Sequence, residues 1–331
     1  QGRVYVYMTA DDYQYDDNGE VISNDFNYIT SLRVVSSTDL VNWTDHGEID
    51  VAGQNGGKGP AMWASHSWAP AIAYQKVDGK DKFFLYFAND ASGIGVLEAD
   101  TPLGPWRDPI GKALLTRQTP GCAGVTWCFD PAVLVDDDGS AYIYFGGGVP
   151  NNGANGEQLN PKTARVAKLG ADMISIEGEA KEIDAPCMFE DSGIFKYDGK
   201  YYYSYCSNFI GPHGDGYPGL GNICYMVSDN PMGPFTYAGE IFSNPSVWFN
   251  VGGNNHHATF VYEGVSYFIY HAQTVSKALG VELGYRSTHI DEIKMNSDGS
   301  IKQIKGTYAG IPQLRDMTPY ERIDAETIAW N

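Results

Sequence analysis

Two acidic residues stand at matching positions in this sequence, each at the head of an apolar segment. Asp130 opens DPAVLVDDDG and Glu190 opens EDSGIFKYDG, and each lies nine residues before the glycine of a tight turn, Gly139 or Gly199. Carboxyl groups are frequent general acids and bases in proteins. Their equal distance from a turn indicates that the two acids share one site, to which equivalent structural units bring them.

These units are visible as an internal repeat, which is the strongest organisational signal in the chain. A turn with glycine is followed by an aromatic-rich strand pattern at five places, and the turn glycines are Gly2, Gly79, Gly139, Gly199 and Gly264. Glycine supplies the positive φ that such turns need. A further strand pattern precedes each internal glycine, and no long amphipathic helix pattern interrupts the series.

Repeated sheets point to one architecture. Arranging sheets around an axis protects their edge strands, and propellers of about four to eight four-stranded blades result. The five repeats therefore predict an all-β fold, a single five-bladed β-propeller over 1–331 with its site in the central channel. A β-sandwich is the competing architecture, and the repeated turn and aromatic signature favours the propeller.

The propeller explains why charges stand at the heads of buried strands. The first strand of each blade lines the channel, so Asp130 and Glu190 would face one mouth from adjacent blades. Trp68 in WAP and His256 and His257 in NNHHA take corresponding places in two other blades. Convergent polar groups beside an aromatic wall are typical of a ligand site.

Composition narrows the choice of partners. The 331 residues include 41 acidic and 22 basic side chains, for a net charge of −19. Nucleic acid and anionic membranes would repel such a chain, so neither is an expected partner. The five cysteines are odd in number and lack metal-type spacing, which favours free thiols and a cytoplasmic location. A removed leader would instead favour secretion, and localisation and oligomeric state stay open.

The sequence resembles glycoside hydrolase family 43 over essentially its whole length. The resemblance rests, in chain order, on SWAPAIA, FDPAVLVDDDG, FEDSGIFKYDGKYYYSYCSN, SDNPMGPF, GGNNHHATF and GYRSTHIDEI. Members are five-bladed propellers that act on arabinose- and xylose-containing polysaccharides. The chain looks most like the arabinofuranosidase and β-xylosidase group, and 319–331 are similar to the junction where an appended carbohydrate-binding module begins in that group.

The resemblance implies an inverting hydrolase with three carboxylates. Inversion needs a protonated acid at the leaving oxygen and an ionised base that holds water on the opposite face, about 6.5–9.5 Å away. By position, Glu190 would be the general acid and Asp130 the residue that orients it and tunes its pKa. The family's base is an aspartate on a strand before GRVYVYMTA, so the base is expected outside 1–331.

The same resemblance implies residues that bind the sugar. Arg286 would reach both the acid and the bound sugar, and a guanidinium can hold such groups through two hydrogen bonds. Trp68 would form the apolar wall for a pentose ring. Asp11 and Asn208 would line the sugar pocket.

A calcium ion is a further expectation, since relatives commonly hold one in the channel through one histidine and water. Motif matching selects His256 as that ligand, whereas strand alternation selects His257. Both remain candidates. Calcium prefers oxygen ligands, and a mostly hydrated ion makes a single histidine ligand tolerable.

Three functions follow from these expectations. The first is an exo-acting, inverting α-L-arabinofuranosidase that removes arabinose side groups from arabinoxylan or arabinan. A β-D-xylosidase, or an enzyme with both activities, is the alternative, because the two sugars present similar hydroxyls. A non-catalytic carbohydrate-binding propeller is the third, and only the missing base supports it.

Overall fold

The computed structural model describes residues 2–314 and 327–329, which form five antiparallel sheets. In order from the channel outward, the first sheet contains β1 (Val4–Thr9), β2 (Ser31–Ser37), β3 (Asn42–Asp50) and β19 (Thr327–Ala329). The second contains β4 (Trp68–Val77), β5 (Lys80–Ala88), β6 (Gly93–Ala99) and β7 (Leu115–Thr116). The third contains β8 (Ala132–Val135), β9 (Ala141–Gly146), β10 (Ala164–Leu169) and β11 (Ile176–Ile183).

The remaining elements complete a ring. The fourth sheet contains β12 (Met188–Tyr197), β13 (Lys200–Ser207), β14 (Ile223–Ser228) and β15 (Thr236–Phe242). The fifth contains β16 (His257–Tyr262), β17 (Val265–Ala272) and β18 (Ser287–Glu292). The helices are short: α1 (Ser246–Phe249), α2 (Thr274–Ala278) and the 3-10 turns Phe26–Tyr28 and Pro150–Gly153. Strands β1, β4, β8, β12 and β16 contact one another in this order, so the predicted five-bladed β-propeller is confirmed.

The apolar core lies between the blades. The described residues form five buried clusters, each wedged between two neighbouring sheets. Strand β13 shows how, because Tyr201, Tyr203 and Tyr205 pack toward the third sheet while Tyr202 and Cys206 pack toward the fifth. Successive side chains of a strand point to opposite faces. The aromatic-rich repeat is therefore explained by packing between blades, which fixes the channel and the strands that line it.

Strand β1 has an unusual place in the repeat. Gly2 precedes β1 just as Gly79, Gly139 and Gly199 precede the second strands β5, β9 and β13. By this alignment β1 corresponds to a second strand, although it is the innermost described strand of its sheet. No other described strand pairs with its channel-side edge, and its six residues are only half-buried. The first sheet thus presents an open pairing edge to the channel.

The segment expected to lead into a binding module, 319–331, lies outside the described residues except for β19. That strand pairs antiparallel with the outer edge of β3. The prediction of a single domain over 1–331 stays a prediction. Among the described helices, none has the length and apolar character needed to cross a bilayer.

Candidate active site

One cavity of about 690 Å³ occupies the channel, and residues of all five innermost strands line it. Small-molecule sites typically measure about 300–1,000 Å³. The residues expected at the site that line this cavity are Asp11, Trp68, Asp130, Glu190, His256, His257 and Arg286. Seven of the eight residues that the sequence predicts at the site therefore lie around one cavity.

Asp130 lies just before β8 and is 4% exposed. Its backbone adopts a φ of +49°, which is uncommon for a residue with a side chain. Its Oδ2 accepts a hydrogen bond from the backbone N–H of Asp191 at 2.9 Å. Burial raises the pKa of Asp130 to about 7, although this N–H and the charge of Arg286 act to lower it.

Glu190 lies near the start of β12, where the pairing with β13 shifts on both sides of it and marks a β-bulge. Its Oε1 is buried without a hydrogen-bond partner. Burial, followed by the charges of Asp130 and Asp191, raises the pKa of Glu190 well above its usual value, while Arg286 and the backbone N–H of Asn255 lower it. This carboxyl group therefore keeps its proton, and its Oε1 has no protein partner among the described residues that would prevent it from donating that proton to a ligand.

The two carboxyl groups ionise in sequence, because like charges at one site resist joint ionisation. Asp130 has a pKa of about 7, and its oxygen is stabilised by a backbone N–H. Burial, followed by the charge on Asp130, raises the pKa of Glu190 well above its usual value. Ionised Asp130 therefore keeps the proton on Glu190. Two carboxyl groups whose environments separate their pKa values are suited to acid catalysis.

Arg286, just before β18, is held by Asp11, which lies two residues after β1. Its Nε donates to Asp11 Oδ2 at 2.6 Å and its Nη2 to Asp11 Oδ1 at 2.5 Å. Nη2 also donates to Thr9 Oγ1 at 2.9 Å, and the guanidinium lies 4.8 Å from the centre of the Phe26 ring. The ion pair is nearly buried, with the side chains 15% and 8% exposed. Arg286 thus acts on Glu190 through its charge, while Asp11 anchors it.

Trp68 stands at the start of β4 beside another irregular stretch of backbone. The pairing with β5 shifts between Trp68 and Ala71, and Ala69 has a φ of +43°. The indole Nε1–H donates to the carbonyl of Phe26 at 2.8 Å, and the ring meets His66 edge-on at 5.3 Å. These contacts fix the indole in the cavity wall, as the expected role requires.

The expectation for Asn208 does not agree with the structure. Asn208 is fully buried and does not line the cavity. Its Nδ2 donates to the carbonyls of Gln158 and Cys187 at 2.7 and 2.9 Å, and its Oδ1 accepts from the backbone N–H of Ile210. The side-chain amide thus hydrogen-bonds to the protein backbone and holds the loop after β13. It is not available to bind a sugar.

The structure separates the two histidines. His257 uses both ring nitrogens, with Nδ1 2.5 Å from Asp191 Oδ2 and Nε2 2.7 Å from Ser204 Oγ. His256 lies with its Nε2 3.2 Å from Asp191 Oδ1 and its Nδ1 3.7 Å from Asp130 Oδ2. Both ring nitrogens of His257 are therefore engaged and not free to bind a metal, so the choice based on strand alternation does not fit, whereas Nδ1 of His256 has no partner among the described residues closer than Asp130 Oδ2 at 3.7 Å.

The described residues provide no cage for a metal. None of their histidine, cysteine, aspartate and glutamate side chains form a group of three or more arranged to hold an ion. Calcium takes about six to eight oxygen ligands. The side chains present therefore fit only an ion that keeps most of its water and contacts His256.

Asp191 contacts the cavity residues Asp130 and His256, and the sequence does not predict it at the site. It is fully buried, and burial raises the pKa of its carboxyl group well above the usual value. Regular alternation would place the residue after Glu190 on the opposite face of the strand. The β-bulge at Glu190 overrides this alternation. Only the adjacent acids in FEDSG signal the residue in the sequence.

The comparisons with known proteins agree with one another. The sequence profile described as Glycosyl hydrolases family 43 matches residues 4–301. The chain is 61% identical over 333 residues to the arabinoxylan arabinofuranohydrolase of Paenibacillus polymyxa, covering 99% of this chain and 52% of that protein. It is 58% identical over 336 residues to the arabinoxylan arabinofuranohydrolase of Bacillus subtilis (strain 168), covering 100% of this chain and 65% of that protein. The chain therefore spans about half to two thirds of the length of these relatives.

A solved structure has the same fold. The crystal structure of a glycoside hydrolase family 43 arabinoxylan arabinofuranohydrolase from Bacillus subtilis, in complex with cellotetraose, superposes with a TM-score of 0.96 at 57% identity. The superposition covers 100% of this chain and 69% of that chain. On the profile match, the identities and the shared fold, this chain belongs to glycosyl hydrolases family 43.

Proposed function

We propose that this protein is an exo-acting, inverting α-L-arabinofuranosidase that releases arabinose side groups from arabinoxylan or arabinan. One observation carries the proposal. Glu190, with a raised pKa and an unpartnered buried oxygen, and Asp130 line the same channel cavity. The names of the two relatives support arabinoxylan as the substrate class.

Glu190 would act as the general acid. Its proton passes to the glycosidic oxygen as the bond from that oxygen to the anomeric carbon breaks. A water molecule attacks the anomeric carbon from the opposite face and gives its proton to a base, which accounts for inversion. Asp130 supplies the negative charge that keeps Glu190 protonated until this step.

The general base would belong to a strand that pairs with the open edge of β1. Among the described cavity residues, the acids are Asp11, Asp12, Asp130 and Glu190. Asp11 is committed to Arg286, and Asp12 pairs with Arg33. A strand on the open edge of β1 would stand where the other four blades carry their first strand. It would bring a base to the side of the channel facing Glu190.

Two residues would hold the pentose. Trp68 offers an apolar wall whose position is fixed by its bond to Phe26. None of the hydrogen bonds found among the described residues uses Nη1 of Arg286. That atom would donate to a sugar hydroxyl, while Asp11 holds the rest of the guanidinium in place.

A pair of chromogenic substrates tests the proposal. We expect the full gene product to hydrolyse nitrophenyl α-L-arabinofuranoside faster than nitrophenyl β-D-xylopyranoside, with kcat/KM as the measure. Faster turnover of the xyloside would contradict the proposal and assign a β-D-xylosidase. Binding of arabinoxylan oligosaccharides without turnover of either substrate would assign the non-catalytic propeller.

We further propose that calcium binds in the channel as a mostly hydrated ion, with His256 as its one side-chain ligand. A ligand that binds only the folded state raises its stability. We expect CaCl₂ added to chelator-treated protein to raise the Tm, and MgCl₂ to do so less, because magnesium demands a stricter geometry. His256→Ala should abolish the calcium effect. An unchanged Tm of the wild type would contradict the site.

A further inference from the structure

Behind the two carboxyl groups lies a buried chain of hydrogen bonds that links three blades. It starts at Asp130, whose Oδ2 accepts from the backbone N–H of Asp191. The Asp191 carboxylate accepts from the backbone N–H of His257 at 3.0 Å and meets His257 Nδ1 at 2.5 Å. His257 Nε2 in turn meets Ser204 Oγ at 2.7 Å. These hydrogen bonds thus join the start of β8 to β12 and β16.

The hydrogen bonds connect an acid, a histidine and a serine in the order of a nucleophilic triad, namely Asp191, His257 and Ser204. These residues are not placed to act as one. Ser204 is fully buried and does not line the cavity, so its hydroxyl cannot reach a substrate. The His257 ring stacks on Phe268, with 5.1 Å between the ring centres, and is locked in place. These hydrogen bonds can therefore affect function only through Asp191, whose backbone N–H contacts Asp130.

The backbone at that end is held in an unusual conformation. Asp191 has a φ of +69° and Asp130 a φ of +49°, and both lie in the left-handed region that residues with side chains rarely adopt. Such conformations persist only where the surroundings determine them. At Asp191 the two hydrogen bonds to His257 hold the backbone, beside the contact of Oδ1 with His256 Nε2 at 3.2 Å. They also aim the N–H of Asp191 at the carboxylate of Asp130.

We propose that Asp191 is a positioning residue, whose hydrogen bonds to His257 fix the backbone that orients the Asp130 carboxylate toward Glu190. The inference rests on the hydrolysis proposed above. Asp191 itself does not touch the substrate. Its removal therefore lowers turnover without weakening substrate binding, since a small displacement of a catalytic group can cost about 10²-fold in rate.

Two replacements of Asp191 separate hydrogen bonding from charge. Asp191→Gly deletes the carboxylate but allows the positive φ. We expect kcat to fall by about 10²-fold with KM nearly unchanged. Asp191→Asn keeps the shape, and both His257 and Ser204 can reverse their hydrogen bonds to match an amide. We expect kcat within about tenfold of the wild type for this variant.

Asp39→Ala is the matched control. Asp39 is also a buried aspartate, and its Oδ1 accepts from the backbone N–H groups of Val41 and Asn42 at 3.0 and 2.8 Å, away from the cavity. Its loss should lower the Tm and leave kcat unchanged. Near-normal kcat in Asp191→Gly would overturn the inference. An equal loss in Asp191→Asn would overturn it too, because charge rather than position would then be the cause.

Two further measurements keep the inference open to refutation. If Asp191→Gly does not fold, two variants of His257 replace it. His257→Asn keeps a hydrogen-bond donor toward Asp191 and should be far more active than His257→Leu. Equal activities of the two variants would overturn the inference. Crystal structures of the wild type and Asp191→Gly should show the Asp130 carboxylate displaced. An unmoved Asp130 carboxylate would refute the positioning role of Asp191, whether or not the wild type hydrolyses arabinofuranosides. Absence of arabinofuranoside hydrolysis in the wild type would separately refute the proposed function.

Discussion

Replacing Glu190 with Gln is expected to lower turnover of an arabinofuranoside by about 10² or more and to leave sugar affinity largely intact. Glutamine has nearly the shape of glutamic acid but cannot donate a proton to the glycosidic oxygen. The wild type should lose kcat/KM as the pH rises through the pKa of Glu190, which lies well above the usual value. The residual activity of the variant should lack this alkaline limb. Steady-state kinetics against pH, with binding measured by calorimetry, checks these results.

Stability provides the internal control for this variant. A carboxyl group whose pKa is raised in the folded state binds more protons there than in the unfolded chain, so it costs stability as the pH rises above the unfolded value. Because burial raises the pKa of Glu190, the neutral glutamine should not lower the Tm at neutral pH. Glu240→Gln, at a glutamate that accepts from Gly219 and Asn222 outside the cavity, should keep full activity. Near-normal turnover in Glu190→Gln would remove this residue from the acid role.

Removing the guanidinium of Arg286 is expected to damage both stability and catalysis. Arg286→Ala leaves the nearly buried carboxylate of Asp11 without its partner, and breaking a buried pair in this way costs about 3–5 kcal/mol. The proposed hydrogen bond from Arg286 to the sugar would be lost as well, and kcat/KM should fall by about 10- to 100-fold. Denaturant unfolding and steady-state kinetics measure the two effects. Arg286→Lys should recover little of either, because an ammonium group cannot reproduce the fork.

Arg33→Ala is the matched control for the stability effect. Arg33 also pairs with an aspartate of the same segment, Asp12 at 2.9 Å, but these side chains are 39% and 64% exposed. Exposed pairs contribute at most about 1 kcal/mol. Equal losses of stability in the two variants would mean that burial of the Arg286 pair does not matter. An unchanged kcat/KM in Arg286→Ala would place the residue outside substrate binding.

The sequence predicted the fold because the fold is repetitive. Five turns with glycine, each followed by an aromatic strand, required five equivalent sheets, and Tyr201 to Tyr205 show that the aromatic pattern encodes packing between blades. Position within the repeat also located Asp130 and Glu190, since equivalent positions in a propeller face the same axis. Periodicity thus predicts both the architecture and the place of Asp130 and Glu190 around one cavity.

Local irregularity limits the rest of the prediction. The β-bulge at Glu190 brings Asp191 into the site, and simple alternation of side chains cannot reveal a bulge. The pairing shift near Trp68 is of the same kind. A sequence does not show which backbone groups bind a side-chain amide, and the carbonyls of Gln158 and Cys187 bind that of Asn208. The same holds for His257, because a buried aspartate and a buried serine contact its two ring nitrogens.

The Glu190→Gln variant also permits the most direct test of the central claim, that Asp130 and Glu190 act together on a single pentose in the channel. The measurement is a crystal structure of this variant with an arabinose-substituted xylo-oligosaccharide. We predict an arabinofuranose ring in the channel cavity, with its glycosidic oxygen within hydrogen-bond distance of residue 190 and Asp130 beside it. An oligosaccharide bound only on the outer surface, with no sugar in the channel, would contradict the account.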